Sequence, residues 1–261
     1  MVPQAYGFIP ARLAASRLPR KLLLADTGQP LIQHTWESAR RAQSLAQVVV
    51  ATDSTEIAEV VHAFGGRFEM TGEHPSGTDR IAEVVGRSFP AVQIVVNIQG
   101  DEPEVDPASI DLLVQLLVDH PAAQMSTLAT PIRTAQVRDN TSCVKVVCAA
   151  DGRALYFSRS LIPFCRDQNP DQLLTEDSPW LLHLGLYAYR REFLMKLTKL
   201  PVSRLERLEK LEQLRALEAG ATIQVGLVQR TAVGIDTPED YARFVQMRID
   251  TRQTSGMIVK S

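Results

Sequence analysis

Apolar residues follow two periods in this chain: short β-branched runs alternate with amphipathic stretches at helical spacing. Tyr-Gly-Phe-Ile-Pro, within residues 5–10, reads as a first strand. A helix is predicted over 30–43, with Pro30 at its first turn, followed by a strand over 47–51. Thr52-Asp53-Ser54 caps the next helix, which ends near Phe64, where Gly65-Gly66 stops it before a short strand at 67–70. A helix carrying Ile81, Val84 and Val85, a strand beginning at Ile94, a helix over 107–120 and a strand over 125–131 continue the alternation. This rhythm predicts a mainly parallel sheet covered by helices on both faces, an α/β fold.

The rhythm then changes. Residues 142–149, 154–159 and 182–190 read as strands without long helices between them, and 166–179 is polar and proline-bearing. Consecutive strands of this kind predict a smaller antiparallel lobe, spanning about 140–200, that contacts substrate or pairs subunits. A helix over 203–220 opens on a Ser203–Glu206 capping box and closes at Gly220. A strand over 222–228 and a helix bearing Tyr241, Phe244 and Val245 complete the pattern. The expectation is one domain over residues 1–250 with a C-terminal tail over 251–261, disordered from Thr254 because no periodicity remains.

Composition narrows the function classes. A net charge of −2 leaves no electrostatic footprint for nucleic acid or an anionic membrane. No apolar run approaches the roughly 20 residues that cross a bilayer. Residues 1–8 lack the basic and apolar regions of a signal peptide, and the three cysteines fit neither a zinc pattern nor a disulfide framework. A cytoplasmic protein is expected.

Candidate chemistry centres on the strand beginning Ile94-Val95-Val96-Asn97, which ends at Gly100 before Asp101-Glu102-Pro103. Ligands of open α/β sheets collect beyond the carboxyl ends of strands, so Asp101 stands where a phosphate-bound Mg²⁺ would sit. The alternative is a solvated turn acid. Asp236 has the same setting, glycine shortly before and proline shortly after. It serves either as the cap of the last helix or as a second carboxylate on one Mg²⁺.

Arg12, Arg17, Arg20 and Lys21 follow the first strand and suit a polyphosphate, although the loop matches neither a Walker nor a dinucleotide pattern. In His74-Pro75-Ser76-Gly77-Thr78-Asp79-Arg80, Gly77 permits close backbone approach, and Ser76 and Thr78 offer hydroxyls to a base or ribose. Arg80 opposes the helix dipole there, which points to an anionic partner. On the uninterrupted helix 203–220, Glu212 comes round to the apolar face of Leu205 and Leu208; it needs a salt bridge or the hydroxyls of a sugar.

Together with Ala154-Leu155-Tyr156-Phe157-Ser158-Arg159, His183-Leu184-Gly185-Leu186-Tyr187-Ala188-Tyr189, Leu211-Glu212-Gln213-Leu214 and Asp236-Thr237-Pro238-Glu239-Asp240, these blocks run in family order. The chain resembles the 3-deoxy-manno-octulosonate (Kdo) cytidylyltransferases to about residue 248. The resemblance implies a nucleotidyltransferase fold of the glycosyltransferase-A type, a homodimer and Mg²⁺. It also implies conversion of CTP and Kdo to CMP-Kdo and pyrophosphate for lipopolysaccharide synthesis. It places Arg12 and Lys21 on the triphosphate, Ala11, Ser76 and Gly77 against the nucleotide, and Asp101 and Asp236 on the metal. Arg80, Gln99, Arg159, His183, Tyr187, Glu212 and Gln213 would surround the keto-sugar acid, with Arg80 and Gln99 also reaching the nucleotide.

The family has Gly and Pro on either side of the loop lysine, where this chain has Arg20 and Leu22; loop mobility and CTP affinity are the properties this puts in doubt. Three other readings stay open. The enzyme activates a related acid, 8-amino-Kdo or a sialic acid; it is a sugar transferase on the same scaffold; or it is a silent nucleotide-binding module.

Overall fold

A computed structural model describes residues 4–14, 17–229 and 234–258, with side chains to 251. The elements in chain order are β1 (Ala5–Ala11), α1 (Leu31–Ala39), β2 (Leu45–Thr52), α2 (Thr55–Ala63), β3 (Arg67–Met70) and α3 (Gly77–Ser88). Next come β4 (Ile94–Asn97), α4 (Pro107–Asp119), β5 (Met125–Pro131), α5 (Ala135–Asp139), β6 (Lys145–Cys148) and β7 (Ala154–Ser158). The chain then forms β8 (Leu181–Arg190), α6 (Arg191–Leu197), α7 (Arg204–Glu209), α8 (Gln213–Glu218), β9 (Ile223–Leu227) and α9 (Pro238–Ile258).

The sheet order is β3-β2-β1-β4-β8-β5-β9. β1, β2, β3 and β4 pair in parallel, as do β5 and β9, whereas β8 runs antiparallel between β4 and β5. Separate apolar layers fill the two faces. Phe8, Val95, Ile81 and Val85 lie in one, and Ile9, Val96, Ile110 and Leu113 in the other. Neighbouring strand residues point to opposite faces, so a run such as Val95-Val96 fills both.

The expected antiparallel lobe is present as β6, β7 and the first half of β8, continuous with the main sheet. β8 enters the central sheet through Tyr187–Arg190, while Leu181 and Leu182 pair with β6, which pairs in turn with β7. Ten residues let one strand serve both regions. Where they meet, the β5 register jumps between Thr127, opposite Tyr187, and Leu128, opposite Leu184. Such a bulge bends the strand and re-aims its side chains, here those of His183 and Tyr187.

Three element boundaries also differ from the sequence expectation. α1 stops at Ala39, short of Gln43. The helix expected over 203–220 is two helices, because Lys210 adopts a left-handed conformation (φ 55°) and ends α7. Glu212 is therefore at the start of α8, not on a continuous apolar face, and Leu208 is 70% exposed. α9 continues to Ile258, past the expected onset of disorder at Thr254; no proline interrupts it. Residues 259–261 lie outside the described residues.

Candidate active site

At the carboxyl ends of β1 and β4, a cleft of about 290 Å³ opens between the loop after β1, the start of α3 and the loop before α9. Its lining includes Ala11, Arg12, Lys21, Ser76, Gly77, Arg80, Gln99, Asp101 and Asp236, together with His74 and Arg17. Its position follows from the parallel half of the sheet, where strand ends leave a crevice.

The loop after β1 returns through a short 3₁₀ turn, Lys21–Leu23. Leu22 is buried beneath it in the same apolar layer as Ile9. Arg20, just before the turn, is left-handed (φ 57°), a conformation that glycine adopts freely and other residues adopt at a cost. Its guanidinium pairs with Glu56 of α2, so this cation is drawn away from the cleft. Arg12 is exposed at the cleft wall, with no hydrogen bond or ion pair among the described residues.

Lys21 is the centre of the cleft floor. Its Nζ donates to Asp101 Oδ2, to Ile235 O at 3.0 Å and to Asp236 Oδ1 at 3.1 Å. Arg17 reaches the other oxygen of Asp236 at 3.0 Å. The Ile235 amide donates to Asp101 O at 2.9 Å, fastening the segment before α9 to the loop after β4.

Asp236 is not the cap of α9. Thr237 is: its hydroxyl accepts from the Asp240 amide, while the Asp240 carboxylate accepts from the Thr237 hydroxyl and amide and from the Asp236 amide. This reciprocal arrangement satisfies the helix end and leaves the Asp236 carboxylate to the cleft. Burial, aided by the neighbouring Asp101 charge, pushes the Glu102 carboxyl up to about 7.

Ser76 caps α3, accepting from the Asp79 amide and donating to its carboxylate. A Cβ on Gly77 would lie 2.9 Å from Pro10 Cγ, so the bare glycine lets α3 close against β1 as well as exposing backbone to the cleft. The anionic partner that Arg80 requires is within the chain. Arg80 is buried, pairs with Asp53 at 2.6 Å and donates to the Thr71 hydroxyl at 2.5 Å.

A second group of polar side chains lies deeper, behind the start of α3. The Thr78 hydroxyl donates to Glu212, whose carboxyl is raised above its ordinary value by burial, partly countered by that hydrogen bond and by the charge of Arg215. Burial raises the phenols of both Tyr187 and Tyr189. Burial pushes His183 down to about 3, so its imidazole is neutral; it shares a 3.0 Å hydrogen bond with the Thr127 hydroxyl and packs edge-on against Phe157. Gln99 Nε2 reaches Gly185 O at 3.3 Å, linking this group to the cleft. Gln213 Nε2 and Asn97 Oδ1 are buried without a hydrogen-bond partner among the described residues. Buried orphans of this sort call for a ligand or water.

Arg159 is engaged elsewhere. Its guanidinium donates to Glu209 O at 2.7 Å and Thr141 O at 3.2 Å, holding the carbonyl end of α7. His183, Tyr187, Glu212, Gln213 and Arg159 do not line the cleft that holds Lys21 and the two acids. The sequence reading did not single out Asn97 or Tyr189, although Asn97 is the polar residue ending an otherwise apolar strand. Nor did it select His74, which lines the cleft and is bound at Nε2 by Glu83 at 2.6 Å.

A cytidylyltransferase family model matches residues 6–223. A 3-deoxy-manno-octulosonate cytidylyltransferase from Rhodopirellula baltica is 48% identical over 90% of this chain and 95% of its own length. One of the same description from Geobacter sulfurreducens is 48% identical over 92% of this chain and 97% of its own. Among solved structures, a CMP:2-keto-3-deoxy-manno-octonic acid synthetase complexed with CTP superposes with a TM-score of 0.85 at 41% identity, covering 96% of this chain and 99% of the other. A cytidylyltransferase from Leptospira borgpetersenii shares the fold alone, with a TM-score of 0.61 at 15% identity.

Proposed function

The chain belongs to the 3-deoxy-manno-octulosonate cytidylyltransferases, and on that premise we propose that its cleft transfers CMP from CTP to the anomeric hydroxyl of Kdo. The products are CMP-Kdo and pyrophosphate. The observation that carries this reading is the meeting of Asp101 and Asp236 at Lys21, on the floor of a cleft at the carboxyl ends of the parallel strands.

Attack of the anomeric hydroxyl oxygen on the α-phosphorus forms one P–O bond and breaks the bond to pyrophosphate, and the hydroxyl proton leaves to water. Such transfers depend chiefly on positioning and on neutralising negative charge. Arg12 is available for the phosphates, and Lys21 is beside it on the cleft floor. Their charges would stabilise the departing pyrophosphate. Ser76, Gly77 and Ala11 form the wall against which the nucleoside would rest. Gln99, at the junction of the two polar groups, would meet the sugar. Neutral His183, the Tyr187 phenol, Glu212 and the unsatisfied amide of Gln213 offer donors and acceptors to its hydroxyls. Arg80 and Arg159 would act mainly by holding Asp53 and the end of α7, unless the sugar carboxylate draws Arg159 from its carbonyls.

The donor set at the two acids fits Mg²⁺. Both are carboxylates, and no third His, Cys, Asp or Glu joins them among the described residues, leaving positions for water and phosphate oxygens. Asp101 and Asp236 would hold the ion, whose contribution when bound is to offset charge on the phosphates.

A homodimer is part of the same proposal. Leu155 on β7 and Phe164 beyond it are 55% and 82% exposed, apolar surface that pairing would cover; sedimentation velocity tests it. No helix among the described residues is long and apolar enough to cross a membrane; a place in the cytoplasm and in lipopolysaccharide synthesis belongs to the same proposal. Pyrophosphate release from CTP, screened against Kdo, 8-amino-Kdo and a sialic acid with and without Mg²⁺, tests the function. Release that depends on Kdo supports it; CTP binding without release leaves a silent nucleotide module instead.

A further inference from the structure

An ammonium group has three N–H donors and no acceptor. In Lys21 all three are occupied: Asp101, Asp236 and the Ile235 carbonyl each take one. The side chain is 16% exposed, so water does not supply a comparable set of partners. Lys21 therefore has no proton free for a phosphate in this arrangement. Any grip on a triphosphate requires it to release at least one of these three oxygens.

The acids have the converse requirement. Two carboxylates that meet at one point repel each other unless a cation stands between them. Asp101 comes from the loop after β4 and Asp236 from the approach to α9, and the amide of Ile235 fastens the two segments together. The backbone thus holds the two residues close, and Lys21 meets their carboxylates. Among the described cations of the loop after β1, Lys21 alone contacts both carboxylates; Arg17 touches only Asp236, and Arg20 is held by Glu56.

We propose that Lys21 is a positioning residue for the two-acid site: its ammonium holds Asp101 and Asp236 together before a divalent cation arrives, and exchanges with that cation when it moves to the phosphates. This rests on the reading of the two acids as the metal site and extends it to the metal-free enzyme. The exchange couples the two ligands. A triphosphate that draws Lys21 away uncovers the carboxylates, and a divalent cation that takes the carboxylates frees the ammonium for phosphate. Without nucleotide, the cation must compete with a built-in positive charge.

Mn²⁺ alone, added to the nucleotide-free full-length protein and followed by the electron paramagnetic resonance signal of the free ion, reads this competition directly. Lys21→Met should bind Mn²⁺ at least about tenfold more tightly than the natural protein, and adding Asp101→Asn to that variant should abolish the gain. Arg20→Met removes the same charge from the neighbouring position, where it faces Glu56, and should change Mn²⁺ affinity less than about threefold. Lys21→Gln provides the same test should the methionine variant fail to fold, as judged by circular dichroism. Equal or weaker Mn²⁺ binding by the Lys21 variants overturns the proposal, as does an equal gain in Arg20→Met, which would mean that overall charge alone matters. Kdo-dependent pyrophosphate release by the natural protein is scored separately, so a failed exchange is distinguishable from a failed assignment of the reaction.

Discussion

Thr78 and Glu212, 134 positions apart, are joined by a hydrogen bond from the Thr78 hydroxyl to the Glu212 carboxylate, which ties the first turn of α3 to the start of α8. Glu212 is largely buried, and its carboxyl is already raised by desolvation. Removing a donor from a buried charged acceptor costs about 1–3 kcal/mol. Thr78→Val keeps the shape and removes the donor. It should lower stability by that order in chemical denaturation and raise the KM for Kdo several-fold, with the KM for CTP little changed. Equal effects on both KM values would remove Glu212 from the sugar side of the site.

The break that carries Glu212 into place has its own signature. Lys210 is left-handed, with its amide bonded to Glu206 O at 2.7 Å, and Arg215 clamps Glu206 across the break with contacts of 2.8 and 2.5 Å. Glycine is favoured at such a helix end, and a residue with a Cβ is strained there by about 1 kcal/mol. Lys210→Gly should therefore stabilise the protein by up to about 1 kcal/mol, less the extra freedom it gives the unfolded chain. Lys210→Val should destabilise it. Denaturant midpoints of the two variants moving in the same direction would contradict this account.

Glu102 gives a pH-dependent prediction. Its carboxyl is raised to about 7 in the folded chain against an ordinary 4.5. Between those values the folded state binds the extra proton, so stability contributed by this group falls as pH rises through that window. In EDTA, Glu102→Gln should gain stability over the natural protein by up to about 3 kcal/mol between pH 5 and pH 8. Parallel stability profiles would place the titration elsewhere.

Much of the fold was legible because strand and helix periods differ, and because the carboxyl ends of parallel strands face one side. The placement of Asp101 and Asp236 followed from the glycine and proline around each acid. The break at Lys210 was not legible: neither glycine nor proline marks it, and a lysine in the left-handed region has no sequence signal. Without that break, a heptad argument set Glu212 beside Leu205 and Leu208. The cap of α9 was ambiguous because Asp236 and Thr237 both accept well; Asp240 decides it by pairing with Thr237. Arg80 advertised an anion, but that Asp53 supplies the anion depends on how β2 and α3 pack. The antiparallel insertion of β8 was likewise invisible, since alternation within a strand does not identify its neighbours.

The two acids are the centre of the account, and pyrophosphate release with saturating CTP and Kdo in Mg²⁺ tests them most directly. The natural protein should release pyrophosphate only when Kdo is present. Asp101→Asn and Asp236→Asn should each lower kcat by at least about a hundredfold while keeping a native circular dichroism spectrum. Near-normal kcat in either variant, or no Kdo-dependent release by the natural protein, would contradict it.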